Sequence, residues 1–146
     1  MMENQPAYVV DASVGIKLFV AEPLSEEAAG VFAQLMGTPP AHLFVPDLFF
    51  IECTNILWKY VRRAGYPVTA ARANLDELER LSLHVVSTAN LAGAALDIAV
   101  AEAISAYDAS YVALAHGLGI PMITADEVLV RKVRGSTYSV RWLGDL

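Results

Sequence analysis

The chain has 146 residues, of which 55% are hydrophobic and 18% charged, a composition that excludes a disordered or low-complexity protein and suits one globular domain with a real core. The net charge of −6 and pI near 4.9 argue against a protein that holds nucleic acid by bulk positive charge. One cysteine, Cys53, leaves no intrachain disulfide and agrees with a reducing cytosol.

The N-terminal segment Met1 to Pro6 has no basic start followed by an apolar run, so no signal peptide is expected. Tyr8-Val9-Val10 is a short β-rich run that ends at Asp11 and leads into a helical stretch to about Val20, broken by Glu22-Pro23. Ser25 is placed to cap a second helix with acids in its first turn, ending near Gly37. Leu43-Phe44-Val45 is a second strand. Asp47 then caps a long helix running to Arg63, stopped by Gly65 and Pro67. Thr69 caps a helix from Ala70 to Leu81, and Leu83 to Val86 forms a third strand.

Two alanine-rich helices follow, about Ala92 to Ile104 and Tyr107 to His116, with Gly117 and Gly119 as stops. The Leu91 to Ile104 stretch carries Asp97 and Glu102, is too short and charged to span a bilayer, and is expected to be a buried helix. Pro121 to Thr124 is a fourth strand, Asp126 to Val133 a short helix, and Tyr138 to Arg141 a last strand. This alternation predicts an α/β fold with a parallel sheet of four to five strands and right-handed crossovers. No repeat or linker divides the chain, so residues 1–146 form one domain with its core at about 8–143.

Four carboxylates fall where a strand gives way to a helix, or where a helix starts: Asp11, Glu52, Asp108 and Asp126. Ligands of an open parallel sheet bind outside the carboxyl ends of its strands. Acids gathered there offer oxygen ligands to Mg²⁺ or Mn²⁺, which is the chemistry of a metal-dependent nuclease. Asp11 with Ser13, and Thr124 with Asp126, repeat one arrangement of acid and hydroxyl two residues apart at two strand ends. Either Asp alone is equally well explained as a helix N-cap; the repetition favours a site.

Glu52 sits among Phe49, Phe50, Ile51, Ile56 and Leu57, where an unpartnered carboxylate would be costly. Helical spacing aligns it with Asn55 and Lys59, with Arg62 or Arg63 further along. A solvated polar face is the plainer alternative. Asp108 lies between Tyr107 and Tyr111 and could be a simple cap. His42, His84 and His116 lack metal-ligand spacing, and Cys53 has no evident base, so a buried thiol is expected.

In order and spacing, these pieces resemble the PIN-domain family, and within it the VapC-type ribonuclease toxins of toxin–antitoxin systems. The resemblance runs from Tyr8 to about Leu143. It rests on Tyr8-Val9-Val10-Asp11 with Ser13, Val45-Pro46 and Glu52 with Asn55, Tyr107-Asp108-Ala109 with Tyr111 to Ala115, and Ile123-Thr124-Ala125-Asp126. It implies a PIN-like three-layer α/β/α fold and an endoribonuclease that cleaves RNA with metal-activated water. Asp11, Glu52, Asp108 and Asp126 match the catalytic and metal-binding acids. Ser13, Asn55 and Thr124 are the polar residues expected behind them. Mg²⁺ or Mn²⁺ is the implied cofactor, a small antitoxin protein and a second copy of the chain the implied partners, and the cytoplasm the implied location, with no membrane. Lys59, Arg62, Arg131, Lys132 and Arg134 are expected to contact RNA phosphates, the basic run after Asp126 being otherwise an ordinary helix end.

A dehalogenase-type phosphatase would want a second Asp where Ser13 stands, and a phosphoacceptor receiver domain a Lys where Ile120 precedes Pro121. The remaining rival is a non-catalytic PIN-like module that binds protein or RNA.

Overall fold

The computed structural model describes residues 5–146; Met1 to Asn4, which carry most of the N-terminal reading, lie outside the described residues. Five strands form one parallel sheet: β1 (Ala7–Val10), β2 (His42–Pro46), β3 (Leu83–Val86), β4 (Met122–Thr124) and β5 (Val140–Trp142), in the order β3-β2-β1-β4-β5. Helices link them: α1 (Ala12–Gly15) and α2 (Ser25–Ala33) between β1 and β2, α3 (Leu48–Ala64) and α4 (Val68–Arg80) before β3, α5 (Ala92–Glu102) and α6 (Ala106–Leu118) before β4, and α7 (Glu127–Val133) before β5. The predicted α/β class with a parallel sheet is therefore present.

The apolar pattern explains the layering. Val9 and Val10 are adjacent yet both fully buried, as a strand covered on both faces requires. β3 is one of the two outer strands, and there His84 and Val85 are exposed. α6 buries an unbroken run from Ala109 to Ala115, whose small residues let the helix lie close against the sheet. α3 buries Phe49, Cys53 and Leu57, one stripe at four-residue spacing. At Gly15 a Cβ would stand 2.6 Å from Phe49 Cζ, so only glycine lets α1 approach α3 this closely.

The chain leaves β1 toward β2 on one side, while β4 lies on the other. The strand order thus reverses between β1 and β4, which opens a crevice at their carboxyl ends. Asp11 follows β1 and Asp126 follows β4, so both border that crevice.

Several local expectations give way to longer-range partners. The first helix stops at Gly15 and continues only as a 3-10 turn, Ile16–Leu18. Leu24, at a left-handed φ of 70°, occupies the N-cap of α2, and Ser25 Oγ accepts instead from the Glu22 N–H at 3.0 Å. Asp47 stands at the head of α3, but its carboxylate accepts from the Thr88 N–H at 3.1 Å. Pro67, not Thr69, precedes α4. The expected buried helix, α5, buries only Ala95 and Ile98 and exposes Leu96 and Val100. The last strand is Val140–Trp142, later than expected, because it pairs with Met122–Thr124 of β4. Among the described residues no single helix is long and apolar enough to cross a membrane.

Candidate active site

Asp11 is both a cap and a member of a site. As N-cap of α1 its Oδ1 accepts from the Val14 N–H at 3.3 Å. Two neighbouring hydroxyls, 3.4 Å apart, then hold one carboxylate oxygen each: Ser13 Oγ donates to Oδ1 and Thr124 Oγ1 to Oδ2, each at 2.5 Å. Each hydroxyl is fixed in turn by a backbone donor of the β4–α7 turn. Ser13 Oγ accepts from the Ala125 N–H at 3.0 Å, and Thr124 Oγ1 from the Asp126 N–H at 3.1 Å. A carboxylate has about four acceptor sites, and these bonds take two on Oδ1 and one on Oδ2, which leaves one on Oδ2 for a further partner. The repeated acid–hydroxyl spacing is thus one interlocked network bridging two strand ends.

Glu52 sits in the second turn of α3, half-buried, and its Oε1 accepts from the Tyr111 hydroxyl at 2.5 Å. Asp108 lies in the first turn of α6, whose cap is Ser105; Ser105 Oγ accepts from the Asp108 N–H at 3.0 Å. Ser105, not Asp108, is therefore the N-cap of α6, and the plainer reading of Asp108 as the cap does not hold. Asp126 does cap α7, Oδ1 accepting from Val128 and Leu129 N–H at 2.9 and 3.2 Å, which engages one of its two oxygens.

These four acids, carried by four separate segments, line one open cavity of about 540 Å³. Ser13, Asn55 and Lys59 line it too, with Ile51, Ile56, Tyr107 and Tyr111 as its apolar wall. Burial pushes the Asp11 carboxyl up to about 6, against the Ser13 and Thr124 hydrogen bonds and with help from the charge of Asp108. Burial also raises Glu52, against the Tyr111 hydrogen bond and with Asp108 again adding repulsion. Asp108 is raised by burial and by Asp126, and lowered by Ser105 and by the charge of Lys132. Carboxylates that raise one another's pKa in a shared cleft are expected where a cation normally shares the space.

No three His, Cys, Asp or Glu side chains among the described residues stand close enough to enclose one ion. The donor set, all hard oxygens, still fits a small divalent cation that keeps several waters and takes few carboxylates directly, as Mg²⁺ does.

Of the other predicted residues, Thr124 is fully buried behind Asp11, whereas Asn55 and Lys59 are exposed on the cavity wall. Arg62 lies outside this wall, stacked over Trp58 with its guanidinium carbon 5.8 Å from the ring centre. The basic helix α7 divides: the charge of Lys132 reaches Asp108, while Arg131 and Arg134 line a separate groove with Trp142. Cys53 is buried, and burial together with the charges of Glu52 and Asp11 raises its thiol pKa, as an inert thiol requires. The one residue the sequence argument left without a role is Tyr111. Its signal was its position three residues after Asp108, on the same helix face.

Comparison with known proteins identifies the family and the fold. The family model described as PIN domain matches residues 8–135. Ribonuclease VapC3 of Pyrobaculum aerophilum is 36% identical over 126 residues, which cover 85% of this chain and 92% of that protein. Among solved structures, PAE2754 from Pyrobaculum aerophilum superposes with a TM-score of 0.68 at 24% identity, over 99% of this chain and 91% of that one. A toxin–antitoxin complex from Klebsiella pneumoniae contains a chain that superposes with a TM-score of 0.65 at 14% identity, over 92% and 95%. Both likenesses concern the fold.

Proposed function

This chain belongs to the PIN-domain family, and from that premise we propose that it is a divalent-metal-dependent endoribonuclease and the toxin of a toxin–antitoxin pair. The observation that carries this reading is the convergence of Asp11, Glu52, Asp108 and Asp126 on one cavity, with each Asp11 oxygen held by a hydroxyl. A ribonuclease name on a relative 36% identical supports it.

Asp11, Glu52, Asp108 and, at the rim, Asp126 would hold Mg²⁺ or Mn²⁺. A divalent cation there supplies positive charge to a phosphodiester and acidifies a water molecule. The chain's own contribution is placement. Ser13 and Thr124 fix the plane of the Asp11 carboxylate, and Tyr111 fixes that of Glu52, so neither has to be ordered when RNA arrives. Asn55 and Lys59 on α3 line the cavity and the charge of Lys132 on α7 acts on Asp108, so the three offer donors and positive charge to the phosphates on either side of the cut. Tyr107, exposed at the mouth, offers an aromatic face for a base. Hydrolysis by water needs no side-chain nucleophile, and the one serine of the cavity, Ser13, already spends its proton on Asp11.

The partners under this reading are RNA, an antitoxin that occupies the same cavity, and a second copy of the chain; the cytoplasm is the compartment. The complex from Klebsiella pneumoniae is a precedent for the antitoxin on this fold.

The test is cleavage of total cellular RNA by purified protein with Mg²⁺ or Mn²⁺, beside an EDTA control and Asp11→Asn. Discrete products that require metal and disappear in the variant are expected. Folded, metal-bound protein that leaves RNA intact would favour a binding module instead.

A further inference from the structure

Trp142 ends β5 and pairs in register with Thr124, the residue that holds Asp11. It therefore stands on the carboxyl edge of the sheet, one strand beyond the acids. Its ring is fixed from behind: a Cβ at Gly144 would lie 2.5–2.7 Å from the indole six-membered ring, so the backbone of Gly144 lies directly against it. Trp142 and Glu127 line two grooves. One, of about 370 Å³, reaches Ala125 beside the acid cavity; the other, of about 260 Å³, is lined by Arg131, Arg134, Val130 and Asp145.

Arg131 and Arg134 have no carboxylate partner within ion-pair distance among the described residues, where the one ion pair is Lys17–Glu22. Two unpaired guanidiniums beside a rigid indole match what single-stranded nucleic acid requires, an aromatic face for a base and cations for its phosphate. From Asp126 to Arg131 the rise along the helix is about 7.5 Å, so Arg131 stands about one and a half turns beyond the last of the acids. Glu127 and Asp145 close the groove; they repel phosphate but can accept from a base amino group.

We propose that Trp142, Arg131 and Arg134 form a nucleotide subsite that takes a base of single-stranded RNA flanking the scissile phosphate. The subsite rests on the ribonuclease reading, whose acids it adjoins, and adds to it the unpaired state of the RNA and a place where neighbouring sequence is felt. The indole stacks the base, and the arginines bind the adjoining phosphate.

The chain has two tryptophans, so a Trp58→Phe protein reports Trp142 fluorescence alone. It is titrated in EDTA, where metal-dependent cleavage is absent, with a short oligoadenylate, an oligouridylate and an RNA duplex. Saturable quenching by the single strands and little by the duplex is expected. By labelled-RNA anisotropy, Trp142→Ala should bind single strands roughly tenfold more weakly. Trp142→Phe keeps a stacking face and most of the affinity, and guards against loss through misfolding. Arg131→Gln/Arg134→Gln should reduce the slope of log affinity against log salt by about 1.4. Absence of quenching, or single-strand binding by folded Trp142→Ala and double-arginine variants equal to the parent, overturns the subsite. Cleavage of RNA that is undiminished in Trp142→Ala also overturns it while leaving the ribonuclease reading intact. Quenching without any cleavage by the parent protein in Mg²⁺ or Mn²⁺ overturns the ribonuclease reading and keeps the subsite.

Discussion

The Tyr111 hydroxyl donates a 2.5 Å hydrogen bond to Glu52 Oε1, joining two helices whose partners are 59 residues apart in sequence. Tyr111 is fully buried and Glu52 half-buried, so each settles the polar group of the other. Burial and the Glu52 charge raise the tyrosine pKa, which keeps the phenol protonated and donating.

Tyr111→Phe preserves the ring and deletes that donor. Stability should fall by about 1 kcal/mol, the usual net value of one hydrogen bond. Metal affinity should fall about tenfold, since the carboxylate is no longer oriented. The Glu52 carboxyl should rise further, because the hydrogen bond opposes its shift, so the acidic limb of the activity profile should move to higher pH. Calorimetric titration with Mn²⁺ and a pH–rate profile check this; equal affinity and an unmoved profile would contradict it.

Thr124→Val removes a hydroxyl that serves two partners, the Asp11 carboxylate and the Asp126 N–H. Both would be left short of a partner at a fully buried position, a loss of roughly 1–3 kcal/mol. Metal affinity should fall about 10–100-fold, more than for Asn55→Ala, whose side chain is exposed. A Thr124→Ser variant restores the hydroxyl and should recover most of the affinity. Failure of Ser to rescue would show that packing, not the hydrogen bonds, matters.

The raised Asp11 pKa has a stability consequence of definite sign. Its carboxyl moves from 3.8 to about 6 on folding, so in that window the folded chain holds more protons than the unfolded one. Stability from this group is present at low pH and is lost as pH rises through about 6, by about 3 kcal/mol in all. The melting temperature of metal-free protein, measured as the difference from Asp11→Asn, should decline over pH 4–6. Saturating Mg²⁺ should flatten that decline, because the cation offsets the charge, and should stabilise more strongly at pH 7 than at pH 5. A difference independent of pH would mean that Asp11 ionises normally.

Gly15→Ala should place a methyl carbon against Phe49, itself fully buried. Overpacking of this kind costs about 1–3 kcal/mol. It should also separate α1 from α3, and with them Asp11 from Glu52, so cleavage should fall more than stability alone explains. Thermal melts and turnover at a temperature where the variant is fully folded separate the two effects.

Much of the architecture was legible because it is written in local patterns. Apolar runs, breakers and helix stops place the strands and most helices close to where they lie. The acid–hydroxyl pairs Asp11–Ser13 and Thr124–Asp126 were visible because each is a short-range motif at a strand end. Glu52 stood out as a carboxylate in an apolar helix. The misplaced helix caps are errors of one kind. Ser25, Asp47 and Thr69 have the right chemistry for caps, but Ser25 bonds the preceding turn, Asp47 reaches across to Thr88, and Pro67 takes the place before α4. A short polar side chain has several backbone donors within reach of its options, and only the fold decides which is nearest.

By itself, then, the sequence determined most of the strands and helices, their alternation, and the four acids, with Asp11 and Asp126 at strand–helix junctions and Glu52 inside a helix, since these depend on periodicity and side-chain chemistry. The tertiary structure alone decided that Thr124 lies behind Asp11 across 113 residues, that Tyr111 is the partner of Glu52, and that Arg131 of α7 and its C-cap Arg134 share a groove with Trp142 while the charge of Lys132 acts on Asp108. Those relationships depend on strand order and on the angle at which helices cross the sheet. Such distances are set by the packing of the whole core, and no local stretch of chain contains them.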